Sequence, residues 1–175
     1  MRKYPERIID GADMTFDAGM HEIVDGNNMP LGIMAGDSIL RQEILHRAVA
    51  IVVRSKTGRA LLKKNENQLW DLPFQALLPV GKSTEEFAQE LIALAAGMHP
   101  PRLYPLGVCP PEKQIRAFTA LYEMRPAKGW LNQLGEDENY ILLDYGELKY
   151  LGLEFANHFS PLLRSSLRRG YLRPR

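Results

Sequence analysis

The stretch that most constrains this chain is HRAVAIVVRS, residues 46 to 55. Val49, Ile51, Val52 and Val53 set branched side chains on both sides of an extended backbone, with Ala48 and Ala50 between them. Such a run reads as a buried strand, because a half-buried one would alternate apolar with polar residues. A buried strand commits the remaining sequence to supplying neighbouring strands and covering layers. The length of 175 residues is enough for this. A chain of that size buries roughly 70% of its unfolded surface and needs no disulfide or metal to fold.

The flanking sequence supplies both kinds of element. Residues 1 to 20 show no clear period and read as an N-terminal extension, and residues 21 to 175 read as one domain. HEIVD (21–25) and PLGIM (30–34) flank DGNN (25–28). Gly and Asn tolerate positive φ, so the three segments read as a hairpin. Asp37 or Ser38 can cap a short helix, SILRQEIL. After the 46–55 strand, KTG turns the chain into RALLKK, 59 to 64. In LWDLPFQALLPV, 69 to 80, Pro73 and Pro79 favour an edge strand and loop. GKSTEEFAQELIALAAGM, 81 to 98, reads as a helix, with Ser83 and Glu86 at capping-box spacing and Gly97 where a left-handed C-cap belongs. RLYPLGVCP, QIRAFTALYEM and NYILLDY read as further strands, and GELKYLGLE as a short helix. SPLLRSSLRRG, 160 to 170, has Ser at the N-cap, Pro in the first turn and Gly at the end of a last helix. The order is that of a mixed α/β architecture.

Composition narrows the function classes. A formal charge of +1 argues against general attraction to nucleic acid or membranes. No apolar run approaches a membrane span. MRKYPERIIDGAD has no apolar core after its basic residues, so a signal peptide is not expected. The single Cys109 cannot form an internal disulfide, which fits a reducing cytoplasm.

Several motifs together carry a resemblance. EIVDGNNMPLG (22–32) precedes LHRA (45–48), then Trp70-Asp71, then a helix opening G-x-S-x-E-E-x-A at Gly81. This arrangement resembles the Nudix hydrolase superfamily over roughly residues 21 to 170, and most closely the branch that includes isopentenyl-diphosphate isomerase. The resemblance implies a Nudix-type α/β/α sandwich, a mixed sheet between helices with an N-terminal β-hairpin added. It implies hydrolysis of nucleoside-diphosphate-linked or other pyrophosphate compounds, with glutamates of the Nudix box holding magnesium or manganese.

The box itself, G-x5-E-x7-R-E-U-x-E-E-x-G-U, is poorly kept. Aligned on Gly97-Met98, its leading glycine falls on Ala76, its first glutamate on Lys82 and its arginine on Glu90. The remaining glutamates fall on Leu91, Leu94 and Ala95. These three lie within about 100° on a helical wheel, and with Phe87, Ala88 and Met98 they read as one apolar face. Leucine offers no oxygen ligand and Lys82 repels a cation, so loss of the metal site is expected. No cofactor is expected, and magnesium or manganese only if hydrolysis survives. The isomerase register fares no better, since its catalytic cysteine falls on Gln75 and a metal histidine on Leu77. Cys109 reads as a buried small hydrophobe. His46 matches a metal-ligand position of the isomerase without its partners, and His21, His99 and His158 show no ligand spacing.

Other residues could serve a retained cleft. Glu136, Asp137 and Glu138 in GEDEN resemble an acidic loop that supplies a base or metal ligand in related proteins, and Glu66 offers another carboxylate. Lys63, Lys64 and Arg47 suit phosphate, and Trp70 marks the cleft edge. Arg164, Arg168, Arg169, Arg173 and Arg175 read as a solvated helix end rather than a nucleic-acid surface. Three readings follow. The first is a protein with a degenerate box that binds a small phosphorylated metabolite or a protein partner with weak or no hydrolysis. The second is an active hydrolase with ligands relocated to His46, Glu66 or residues 136–138. The third is a homodimeric interaction protein that uses apolar patches around the box.

Overall fold

The computed structural model describes residues 19–134 and 137–174. Almost all of the expected extension, together with Glu136 and Arg175, lies outside the described residues.

Strand β3 (His46–Arg54) is the middle of the sheet, as its composition requires. Along one edge it pairs in parallel with β8 (Ala117–Met124), from His46↔Ala117 to Val53↔Met124. Its other edge meets three antiparallel partners in turn. They are β1 (Met20–Val24) at His46, β6 (Phe74–Leu77) from Ala48 to Ile51, and β4 (Ala60–Lys64) at Val53 and Arg54. Outside these lie β2 (Pro30–Ala35) beside β1 and β7 (Tyr104–Cys109) beside β8. The short β5 (Trp70–Asp71) and β9 (Tyr140–Leu143) both pair with β4.

Alternation along β3 divides the core. Val49, Ile51 and Val53 face α2 (Thr84–Ala95) and α3 (Lys128–Leu134), meeting Phe87, Ala88, Leu91, Ile92, Leu131 and Leu134. Ala50 and Val52 face the opposite layer, built on α4 (Tyr145–Glu154) and α5 (Pro161–Arg168), where Leu148, Phe159 and Leu163 are buried. Each fully buried branched or aromatic side chain contributes about 1.5–3 kcal/mol. The result is the α/β/α sandwich with its hairpin, β1–β2. Among the described residues no helix is long and apolar enough to cross a membrane.

Capping fixes the helix ends where the sequence suggests. Ser83 accepts from the Glu86 amide while the Glu86 carboxylate accepts from the Ser83 amide. Gly97 takes φ +60° just past the helix, and Ser160 caps α5 by accepting from Leu163. Two expectations change. The helix expected over 38–45 is α1 (Gly36–Arg41), preceded by Ala35 with no side-chain cap. It stops at Arg41 because Glu43 turns to φ +52° and the Ile44 amide returns to the Ile39 carbonyl, feeding β3. The strand expected over 139–145 ends at Leu143, since Asp144 and Glu147 form a second capping box that opens α4. Helix α3 was not expected from the sequence at all, although its Leu131 and Leu134 close the core under α2.

Candidate functional site

The box positions separate once folded. Ala76 is buried in β6. Lys82 and Glu90 are exposed and paired, ammonium to carboxylate. Leu91 is 2% exposed inside the core, and Ala95 is half-buried against the same cluster. Leu94 departs from the expected apolar face, being 53% exposed, while Ile92 is buried instead. The inward stripe is Phe87, Ala88, Leu91, Ile92 and Ala95, and Leu94 lies at its edge, just beyond Phe87 on the wheel and near the C-terminal end of the helix. Magnesium requires hard oxygen ligands on accessible side chains. Leu91, Leu94 and Ala95 offer none, so these residues do not fit the ion. Among the described residues no three His, Cys, Asp or Glu side chains stand together as a metal-ligating group.

The sheet edge retains a cleft. Two cavities of about 500 and 440 Å³ adjoin and share Asn65, Asn67, Asp71 and Gln75. Lys63, Lys64, Glu66, Asp137 and Tyr140 line the first. His46, Leu77, Thr119 and Ser160 line the second. Of the basic and acidic residues singled out from sequence, the fold brings Lys63, Lys64, Glu66 and Asp137 around one chamber. It places His46, Gln75 and Leu77 around the other. The lysines are held over aromatic rings, Lys64 Nζ 5.3 Å from the Trp70 centroid and Lys63 Nζ 5.7 Å from that of Tyr140. His46 donates from Nδ1 to the Ile44 carbonyl at 2.8 Å. Glu138 is exposed and lines neither cavity. Arg47 lies apart, bound to Glu22 at 2.7 Å and to Asn28, in a smaller cavity beside Lys82 and the start of α2.

Sequence reasoning missed the residue that organises this cleft. Asp71, on β5, is buried, and its carboxylate accepts four hydrogen bonds, two at each oxygen. Ser160 Oγ at 2.6 Å and the Leu72 amide at 2.8 Å bind Oδ1. Gln75 Nε2 at 2.8 Å and Asn65 Nδ2 at 3.4 Å bind Oδ2. Burial raises its pKa above the ordinary carboxylate value, against the lowering effect of these donors. The W-D dipeptide was the available signal. Its partner Ser160 is 89 residues away, brought there by the Ser160 amide bonding the Trp70 carbonyl at 2.9 Å.

The remaining sequence candidates have structural partners. Cys109 is buried, with Sγ 3.3 Å from Ser165 Oγ. The C-terminal arginines are largely spoken for. Arg168 and Arg169 bind Glu112, Arg164 binds Gln114, and Arg173 donates to Tyr145. Ser165 and the two arginines hold the Glu112 carboxyl down at a pKa of about 2.

No family model and no curated protein matches the sequence. Solved structures do match the fold. DR0079 from Deinococcus radiodurans superposes with a TM-score of 0.67 at 18% identity, over 87% of this chain and 99% of that one. A mutT/nudix family protein from Listeria innocua gives 0.51 at 16% identity, over 70% of this chain and 92% of that one. NrtR from Shewanella oneidensis, solved in complex with a 27mer DNA, gives 0.50 at 17% identity, over 70% of this chain and 60% of that one. The chain therefore has a Nudix-type fold. At these identities the likeness shows the fold alone.

Proposed function

We propose that the chain is a Nudix protein with a degenerate box. Its cleft binds a small phosphorylated metabolite, by family a nucleoside-diphosphate-linked or other pyrophosphate compound, with little or no hydrolysis. The observation that carries this reading is the contrast between the two halves of the site. Leu91 is buried where a carboxylate would have to reach a cation, while the cavity of about 500 Å³ lined by Lys63 and Lys64 persists. The lysines supply positive charge for phosphate, and Asn65, Asn67 and Asn139 supply polar walls. Stacking over Trp70 and Tyr140 restricts the lysine ammoniums and so lowers the entropy lost on binding.

The test is a panel of pyrophosphate compounds, assayed for thermal stabilisation and for turnover with and without magnesium. The expected result is stabilisation without turnover, roughly 2.7 kcal/mol at a hundredfold excess over Kd. Metal-dependent release of phosphate or nucleotide from any member would overturn it. That outcome would favour the second reading, a hydrolase with relocated ligands. The observation behind that reading is that Glu66 and Asp137 line the same cavity as the lysines. Glu66→Gln with Asp137→Asn should then abolish the turnover.

A further inference from the structure

We infer that Gln75 reads the ligand: its amide oxygen, turned into the cleft, accepts a hydrogen bond from an N–H or O–H group of the bound phosphorylated compound. This rests on the proposal that the cleft holds such a compound, and adds the chemistry of its other end.

The orientation of the amide follows from its partner. Gln75 stands on β6 opposite Ala50 of β3, at the position both cavities share. Nitrogen and oxygen of a glutamine amide are told apart only by what they face. Here the group they face is Asp71 Oδ2, at 2.8 Å. Every other neighbour of Asp71 is a donor. The Leu72 amide can only donate. Asn65 has its own oxygen occupied by the amides of Asn67 and Leu69, at 3.0 and 3.1 Å, so it turns its nitrogen to Asp71. Ser160 Oγ accepts from the Leu163 amide at 3.1 Å and therefore gives its proton to Asp71. The ionised carboxylate, already receiving these three donors, is acceptor-only. Gln75 must turn its NH₂ toward it, which leaves Oε1 to the cleft. Among the described residues nothing bonds that oxygen.

The neighbouring charges divide the ligand. The Asp71 carboxylate beside Gln75 repels an anion there, whereas Lys63 and Lys64, on the neighbouring strand β4, attract one within the same cavity. A fitting ligand carries its phosphates toward the lysines and an uncharged or cationic donor toward Gln75. An amine or hydroxyl borne on a diphosphate meets both demands.

Two probes separate these parts. Adenosine 5′-diphosphate has amino and hydroxyl donors, while inorganic pyrophosphate has the anion alone. In calorimetric titrations of the full chain, adenosine 5′-diphosphate should bind more tightly than pyrophosphate. Gln75→Met should weaken it about fivefold, the value of one hydrogen bond near 1 kcal/mol, and leave pyrophosphate unchanged. Equal affinity for the two probes, equal loss of both, or no loss of either overturns the inference while leaving phosphate binding intact. No binding of either probe removes the proposed function and this inference together. A second readout does not depend on the variant folding. The Gln75 side-chain amide resonances should exchange slowly in the wild type and shift with adenosine 5′-diphosphate but not with pyrophosphate. Free-amide shifts and fast exchange would contradict the orientation on which the inference stands.

Discussion

Lys82 and Glu90 form an ion pair that ties the residue before the Ser83 cap to the second turn of α2. Both side chains are well exposed, so the pair is worth at most about 1 kcal/mol. Lys82→Glu alone should lower stability by up to that amount, because it sets two carboxylates together. Adding Glu90→Arg should recover it. Urea denaturation of the two single variants and the double would give the coupling, and an absence of coupling would show the contact to be incidental.

The helix offers a sharper contrast between two leucines. Leu91→Glu places an unpaired carboxylate in the core and should cost about 3 kcal/mol or more. Leu94→Glu, on the solvent side, should stay within about 0.5 kcal/mol. If thermal melts found the two equivalent, the core side of α2 would be open, and the argument against a metal site there would fail.

The four donors around Asp71 make it the joint between β5, β6 and α5. Asp71→Ala leaves buried donors without an acceptor and should cost about 2–4 kcal/mol. Ser160→Ala should cost about 1–2 kcal/mol, removing one of those donors and the cap of α5. Chemical denaturation of both variants measures this. A near-neutral Asp71→Ala would show that the network contributes no stability.

Acid stability should be shaped by two carboxyls of opposite sign. Glu112, held down at about 2, contributes stability that is present above its ordinary value and lost as pH falls toward 2. Asp71, raised by burial, works the other way: its contribution is full below the unfolded value of 3.8 and is lost as pH rises through the folded one. Glu112→Gln should therefore flatten the acid limb between about pH 5 and pH 2, by about 1 kcal/mol for a network this near the surface. Tm followed against pH checks it, and an unchanged acid limb would remove Glu112 from the account.

What could be read from the sequence was local. The buried run at β3, the Ser83–Glu86 box, the turn at Asn28 with φ +64° and the Ser160-Pro161 start of α5 all follow from chemistry within a few residues. The wheel placed Leu91 on the buried side but also Leu94, because a wheel has no knowledge of where the sheet lies. Helix α3 escaped notice because its 7 residues carry only Trp130, Leu131 and Leu134 as apolar positions, too short a run to display a period. The cleft escaped for a different reason. Lys63, Glu66, Gln75 and Asp137 meet only through the pairing of β4 with β5 and β9 and of β6 with β3, and Asp71 meets Ser160 across most of the chain. Pairwise contacts of that range leave no mark on a single sequence.

The most direct test of the central claim is a manganese titration followed by electron paramagnetic resonance, without and then with adenosine 5′-diphosphate ribose, phosphate release being measured in the complete samples. For protein and manganese without the nucleotide the account predicts the spectrum of the hydrated ion alone, and for the complete samples no turnover. A protein-bound manganese signal that Leu91→Ala or Ala95→Val perturbs, accompanied by steady hydrolysis, would contradict it.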